Sequence, residues 1–125
     1  MTARFEVSSD GTAVELAPWE IYTPPYWVEI SAVEDEIERQ RQLWGEQNHP
    51  DGTTRELKVF ADQAKKVAEH NVEGGTLTWW HILIEEFFEA GAEVEPDALY
   101  TELIQVAAVA ASWAECVRRR AHSNT

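Results

Sequence analysis

An all-α bundle of about four helices, preceded by an N-terminal β-hairpin arm, is the fold that this sequence predicts. Three observations carry that expectation. Four stretches between residues 27 and 120 repeat apolar side chains every three or four positions. Capping residues and glycine stops separate them. The last stretch is apolar around most of its circumference, which suits a helix covered by other helices.

The elements follow in order. Phe5 and Val7 alternate with polar residues, as do Val14 and Leu16, and Ser9-Asp10-Gly11-Thr12 between them is a turn signal. Arg4 to Leu16 therefore reads as a small hairpin. Ala17 to Tyr26, with Pro18, Pro24 and Pro25, is a connecting arm whose aromatics Trp19, Tyr22, Tyr26 and Trp27 are expected to pack on the body. Residues 1–26 form this arm and 27–125 the helical domain. A first helix begins at Pro25 or at Ser31, where Ser31 and Glu34 have capping-box spacing, and ends at Trp44 before Gly45. Asn48-His49-Pro50-Asp51-Gly52 is a turn. A second helix starts at Thr53, with Glu56 three residues on, and stops at Gly74-Gly75. A third runs from about Thr78 to Ala90, stopped by Gly91. The fourth starts near Pro96, a favourable first-turn proline, and runs to about Arg120.

The chain has 125 residues, 44% of them hydrophobic, enough for one domain that needs neither disulfide nor structural metal to fold. Ten basic against 23 acidic residues give a net charge of −13. Such an excess of carboxylates repels phosphate backbones and argues against a nucleic-acid polymer as partner. It suits a protein that collects cations. Cys116 is the only cysteine, so neither an intramolecular disulfide nor a cysteine-rich zinc site can form. The longest uncharged run, Leu103–Ala114, has 12 residues and is too short to span a bilayer. The first residues lack the apolar stretch of a signal peptide, so the expected location is cytoplasmic.

The carboxylates of the last two predicted helices stand out. On a helical wheel Glu85, Glu86 and Glu89 share an arc of about 100° with Ile82. Glu102 lies in the column of Val106, Val109 and Trp113, with Gln105 one turn on. A carboxylate on an apolar stripe is expensive unless it is paired or bound to a cation. A short loop makes the two helices antiparallel neighbours, which brings Glu86 and Glu89 opposite Glu102. Two carboxylates ~5 Å apart repel by about 3 kcal/mol at an effective dielectric of 20. Several together call for a hard, oxygen-seeking cation such as magnesium, with manganese as the alternative. The competing reading is a solvated acidic face.

Glu85-Glu86-Phe87-Phe88-Glu89 followed by Glu102-Leu103-Ile104-Gln105 resembles the all-α nucleoside triphosphate pyrophosphohydrolases, the MazG-like and dimeric dUTPase-like proteins. Their signature is E-x-x-E on one helix and E-x-x-D on the next. Glu86 and Glu89 match the first pair, Glu102 the start of the second, and Gln105 stands where the family has aspartate. The loop Trp44-Gly45-Glu46-Gln47-Asn48-His49-Pro50 and the segment Leu103 to Trp113 are similar to small phage-encoded members. The resemblance spans about Ser31 to Arg118. It implies magnesium-dependent hydrolysis of a nucleoside triphosphate to monophosphate and pyrophosphate by a MazG-like bundle in the host cytoplasm.

On that resemblance Glu86, Glu89 and Glu102 are metal ligands, and Glu85 is a further ligand or orients the attacking water. Gln105 offers an amide oxygen to the metal but brings no charge and cannot act as a base. Trp44, Gln47 and His49 line a nucleobase pocket, or Trp44 is core and the others plain loop. Lys65 reaches phosphate, or belongs to a solvated face. A homodimer or homotetramer is implied, with the fourth helix and the aromatic arm at its interface. The alternative function is a non-catalytic relative that binds nucleotide or protein.

Overall fold

The computed structural model describes residues 5–7, 11, 13–15 and 23–123. Phe5–Val7 (β1) pairs antiparallel with Ala13–Glu15 (β2), Glu6 opposite Val14. The remainder of the expected hairpin, and the arm from Ala17 to Tyr22 with Trp19, lie outside the described residues. The rest is helical: α1 Trp27–Trp44, α2 Lys58–Gly74, α3 Trp79–Ala92 and α4 Pro96–Ser123. No helix among the described residues is long and apolar enough to cross a membrane.

Each boundary has a local cause. Helix α1 starts between the two expected positions. Pro24 O accepts from Trp27 N–H at 3.0 Å and Tyr26 O from Glu29 N–H at 3.1 Å, which leaves Ser31 inside the helix with no capping role. Gly45, at φ 68°, ends it by donating to Arg41 O. Before α2 comes one 3-10 turn, Arg55–Leu57, capped by Thr54 rather than Thr53: Thr54 Oγ1 accepts from Glu56 N–H at 3.3 Å. Thr54 is fixed there because its own N–H donates to Gly91 O at 2.9 Å. Gly75 closes α2 in the left-handed conformation that glycine adopts without strain. Thr78 and His81 cap α3 reciprocally, His81 N–H donating to Thr78 Oγ1 and Thr78 N–H to His81 Nδ1. Gly91 lies inside α3 and does not stop it. A Cβ there would meet Leu57 Cδ1 at 2.9 Å, so the missing side chain is what lets the 3-10 turn sit on the helix.

Helix α3 is central, packed on α2 and α4. Phe60 of α2 stacks on Phe88 of α3 at 5.6 Å, and Trp80 meets Trp113 of α4 edge-on at 6.4 Å. Close approach is possible because the buried contact residues are small: Ala61, Ala68 and Ala90, joined by Leu99. Among the described helices, α1 packs on α4. Its root is an ion pair in which Arg118 Nε donates to Glu29 Oε1 at 2.6 Å, while Arg118 Nη2 donates to Pro25 O. Many large apolar side chains stay exposed on the single chain, Trp44, Trp80 and Tyr100 among them. Helix α4, expected to be covered nearly all round, is covered along its α3 face and, from Ala111 to Arg118, toward α1, and is exposed elsewhere.

Candidate functional site

The loop Glu93-Val94-Glu95 turns the chain tightly enough to lay α4 back along α3. Its first carboxylate makes the turn rigid, since Glu93 Oε1 accepts from the N–H groups of both Val94 and Glu95 at 3.1 Å. This places Glu102, in the second turn of α4, beside Glu86 and Glu89 in the last turns of α3. Each of the three offers a carboxylate oxygen, and the three oxygens lie within 4.8 Å of one another. All three residues are part-buried.

The electrostatics match the crowding. Burial, and then the charges of Glu89, Glu102 and Glu85, push the Glu86 carboxyl above its ordinary pKa. Burial and Glu85 raise that of Glu89, against the pull of Lys65. Burial, Glu89 and Glu93 raise that of Glu102. Gln105 lies alongside. With its amide nitrogen toward the acids it donates to Glu102 Oε2 at 3.0 Å and to Glu86 Oε2 at 3.1 Å. The opposite orientation would set its oxygen against two carboxylate oxygens, which only a cation between them could tolerate.

Three carboxylates and an amide oxygen are a donor set for a hard divalent ion. Adjacent ligands of an octahedral magnesium stand about 3 Å apart and opposite ones about 4.2 Å, and at most one pair of three can be opposite, so the trio must close in for all three to hold one ion. A cleft of about 450 Å³ opens from the cluster, lined by Arg55, Lys58, Ala61, Asp62, Lys65, Glu89, Ala92, Glu93 and Glu102. One wall carries Arg55, Lys58 and Lys65, with Asp62 paired to Lys58 at 3.3 Å, and the other is acidic. Arg55 and Lys58 were not singled out in the sequence, although Arg55, Lys58, Asp62 and Lys65 recur at the spacing of one helix face.

The structure thus brings Glu85, Glu86, Glu89, Glu102, Gln105 and Lys65 into one neighbourhood. Trp44, Gln47 and His49 are elsewhere. They lie at the end of α1 and in the loop after it, all exposed, and none lines the cleft. Trp44 is 70% exposed, so it is not core either. His49 Nε2 and Gln47 Oε1 stand 3.0 Å apart, a contact within the loop. No known protein family, curated protein or solved structure matches the chain.

Proposed function

We propose that the chain is a magnesium-dependent nucleoside triphosphate pyrophosphohydrolase of the MazG-like kind, with manganese able to replace magnesium. The observation that carries this reading is the convergence of Glu86, Glu89 and Glu102 on one point at the edge of a cleft whose far wall carries Arg55, Lys58 and Lys65. A magnesium ion held by these carboxylates would neutralise phosphate oxygens and acidify a bound water. Lys65, with Lys58 and Arg55, faces the phosphate chain from the opposite wall. Glu85 accepts the proton of the attacking water. The oxygen of that water bonds to the α-phosphorus, the bond from that phosphorus to the bridging oxygen breaks, and pyrophosphate leaves. Trp44, Gln47 and His49 can take a nucleobase role only when a second copy, in a homodimer or homotetramer, carries them to the cleft. The host cytoplasm of a phage is the setting this reading gives.

A second reading has its own observation. The Gln105 amide satisfies Glu86 and Glu102 without any metal, and this favours a relative that binds nucleotide but does not cleave it. Incubation with a panel of nucleoside triphosphates and magnesium decides between the two. Monophosphate and pyrophosphate are the expected products. Glu102→Gln should lower turnover about a hundredfold or more, since even residues that only support a metal ligand are worth 10–100-fold. Binding without product, in the wild type, supports the second reading.

A further inference from the structure

We propose that α1 docks into the groove between α2 and α3 of a second copy of this chain. The proposal rests on the expectation of a homo-oligomer and on neither the metal nor the nucleotide, so it can fail while the hydrolase reading stands, and the reverse.

Among the described residues, helix α1 is anchored at its first turns, by Glu29 and Arg118. From Ala32 to Gly52 every residue is exposed. Its helical part, Ala32 to Trp44, is of a length that is marginal in water without a partner. One face of it is apolar, with Ile30, Val33, Ile37 and Trp44 at 36%, 46%, 50% and 70% exposure. The chain also carries a surface that its own helices leave open. Phe60, Ala64 and Val67 of α2 and Trp80, Ile84 and Phe88 of α3 line a groove of about 450 Å³. Its only polar lining groups are Gln63 and His81.

Ridge and groove on one chain, neither filled by another of the described helices, are satisfied together when two copies exchange α1 about a two-fold axis. With side chains of about 150–250 Å² for the aromatics, the exposed parts of the α1 stripe and of Phe60, Val67 and Trp80 come to about 700 Å² on each copy. A stable interface of ordinary size takes about 800 Å² per partner. Two chains of net charge −13 repel, and this contact joins them through faces that carry no acid. Helix α4 is the weaker candidate for the primary contact because it already packs on α3 and α1.

Light scattering should give at least twice the 14.2 kDa of one chain. In a Cys116→Ser background, Val33→Cys and Ala64→Cys are made as separate proteins, mixed and oxidised. A disulfide-linked mixed dimer is expected, with little product from either protein alone. Ile37→Glu should shift the assembly to monomer while circular dichroism stays helical. If that variant fails to fold, the disulfide result decides. A wild-type monomer at micromolar concentration overturns the proposal. So does a Val33→Cys protein that links only to itself, or an Ile37→Glu protein that folds and keeps its mass.

Discussion

Two of the places where the described residues withdraw glutamates from water are treated oppositely. At the root of α1, Glu29 is 7% exposed and meets the guanidinium of Arg118. That hydrogen bond outweighs the desolvation and holds its carboxyl below the ordinary value. Between α3 and α4, Glu86, Glu89 and Glu102 are less deeply covered, yet their carboxyls are pushed up. The difference is the counter-charge. An arginine completes the first place within the chain. In the second, among the described residues, Lys65 opposes the rise at Glu89, and no cation opposes the rise at Glu86 or Glu102. A completed pair is a structural joint. An incomplete cluster keeps an electrostatic deficit that a divalent cation can relieve, and a binding site needs that residual deficit.

Supplying the cation should have the largest effect on stability. Magnesium or manganese at a hundredfold excess over Kd should stabilise the fold by about 2.7 kcal/mol, read as a rise in Tm of several degrees. Glu89→Gln should raise the metal-free Tm by easing repulsion and shrink the rise with metal. Identical wild-type melts with and without divalent ions would mean that the trio is a plain acidic face. Removing the counter-charge from the other place should act in the reverse direction. Arg118→Ala leaves Glu29 without its partner and frees the root of α1, so Tm should fall, with or without magnesium. Adding Glu29→Gln to that variant should recover part of the loss. An unchanged melt for Arg118→Ala would show that α1 is held by something other than this pair.

Acid should separate the two places by sign. The folded pKa values of Glu86, Glu89 and Glu102 exceed the ordinary 4.5, so the folded chain holds more protons there than the unfolded one. Their contribution to metal-free stability therefore falls as pH rises from about 4.5 through the raised values. Glu29 behaves conversely. Its folded pKa lies below 4.5, so the stability from its pair is present above that value and is lost as pH falls through the lowered one. Metal binding requires ionised carboxylates, so the magnesium-induced rise in Tm should shrink as pH falls into the raised range. Melts of the metal-free wild type and of Glu89→Gln between pH 4 and 7 test this. The variant's advantage should grow toward pH 7. An advantage that does not depend on pH would remove the repulsion argument.

The trio was legible in the sequence, and Glu29 was not. Helical periodicity put Glu102 on an inward column, and a short loop after Gly91 allowed only an antiparallel return, so the cluster followed from local geometry. The pairing of Glu29 with Arg118 joins residues 89 positions apart, and no local pattern announces a contact set by how α1 meets α4. The helix count was equally readable from caps and glycines. The start of α2 was misplaced because Thr54, a plausible loop residue, is held by the distant Gly91 carbonyl. The outward stance of α1 was hidden for a similar reason. An amphipathic stripe shows that a helix has a partner, but it does not show on which chain the partner lies.

Gln105 sharpens the comparison with the smallest expected effect, because it does within the cluster, without charge, part of what Arg118 does for Glu29. Its amide donates to Glu86 and Glu102 and so offsets some of their repulsion in the metal-free chain. Gln105→Glu keeps the length and replaces that donor with a fourth negative charge. Gln105→Asp does the same with one methylene fewer. Both should lower the metal-free Tm. Both should also tighten manganese binding, since one more negative charge about 4 Å from a divalent ion is worth about 2 kcal/mol in a watery environment, roughly thirtyfold in affinity. The residue is exposed, so salt should weaken the gain. Glu102→Gln on the Gln105→Glu background should lose the gain, because it takes away a ligand that the new charge only assists. Titration calorimetry with manganese at low and high salt, beside metal-free melts, measures both effects. If neither Gln105 variant moves affinity or Tm, the amide does not touch the acids, and Glu102 is the only residue of α4 that faces the site.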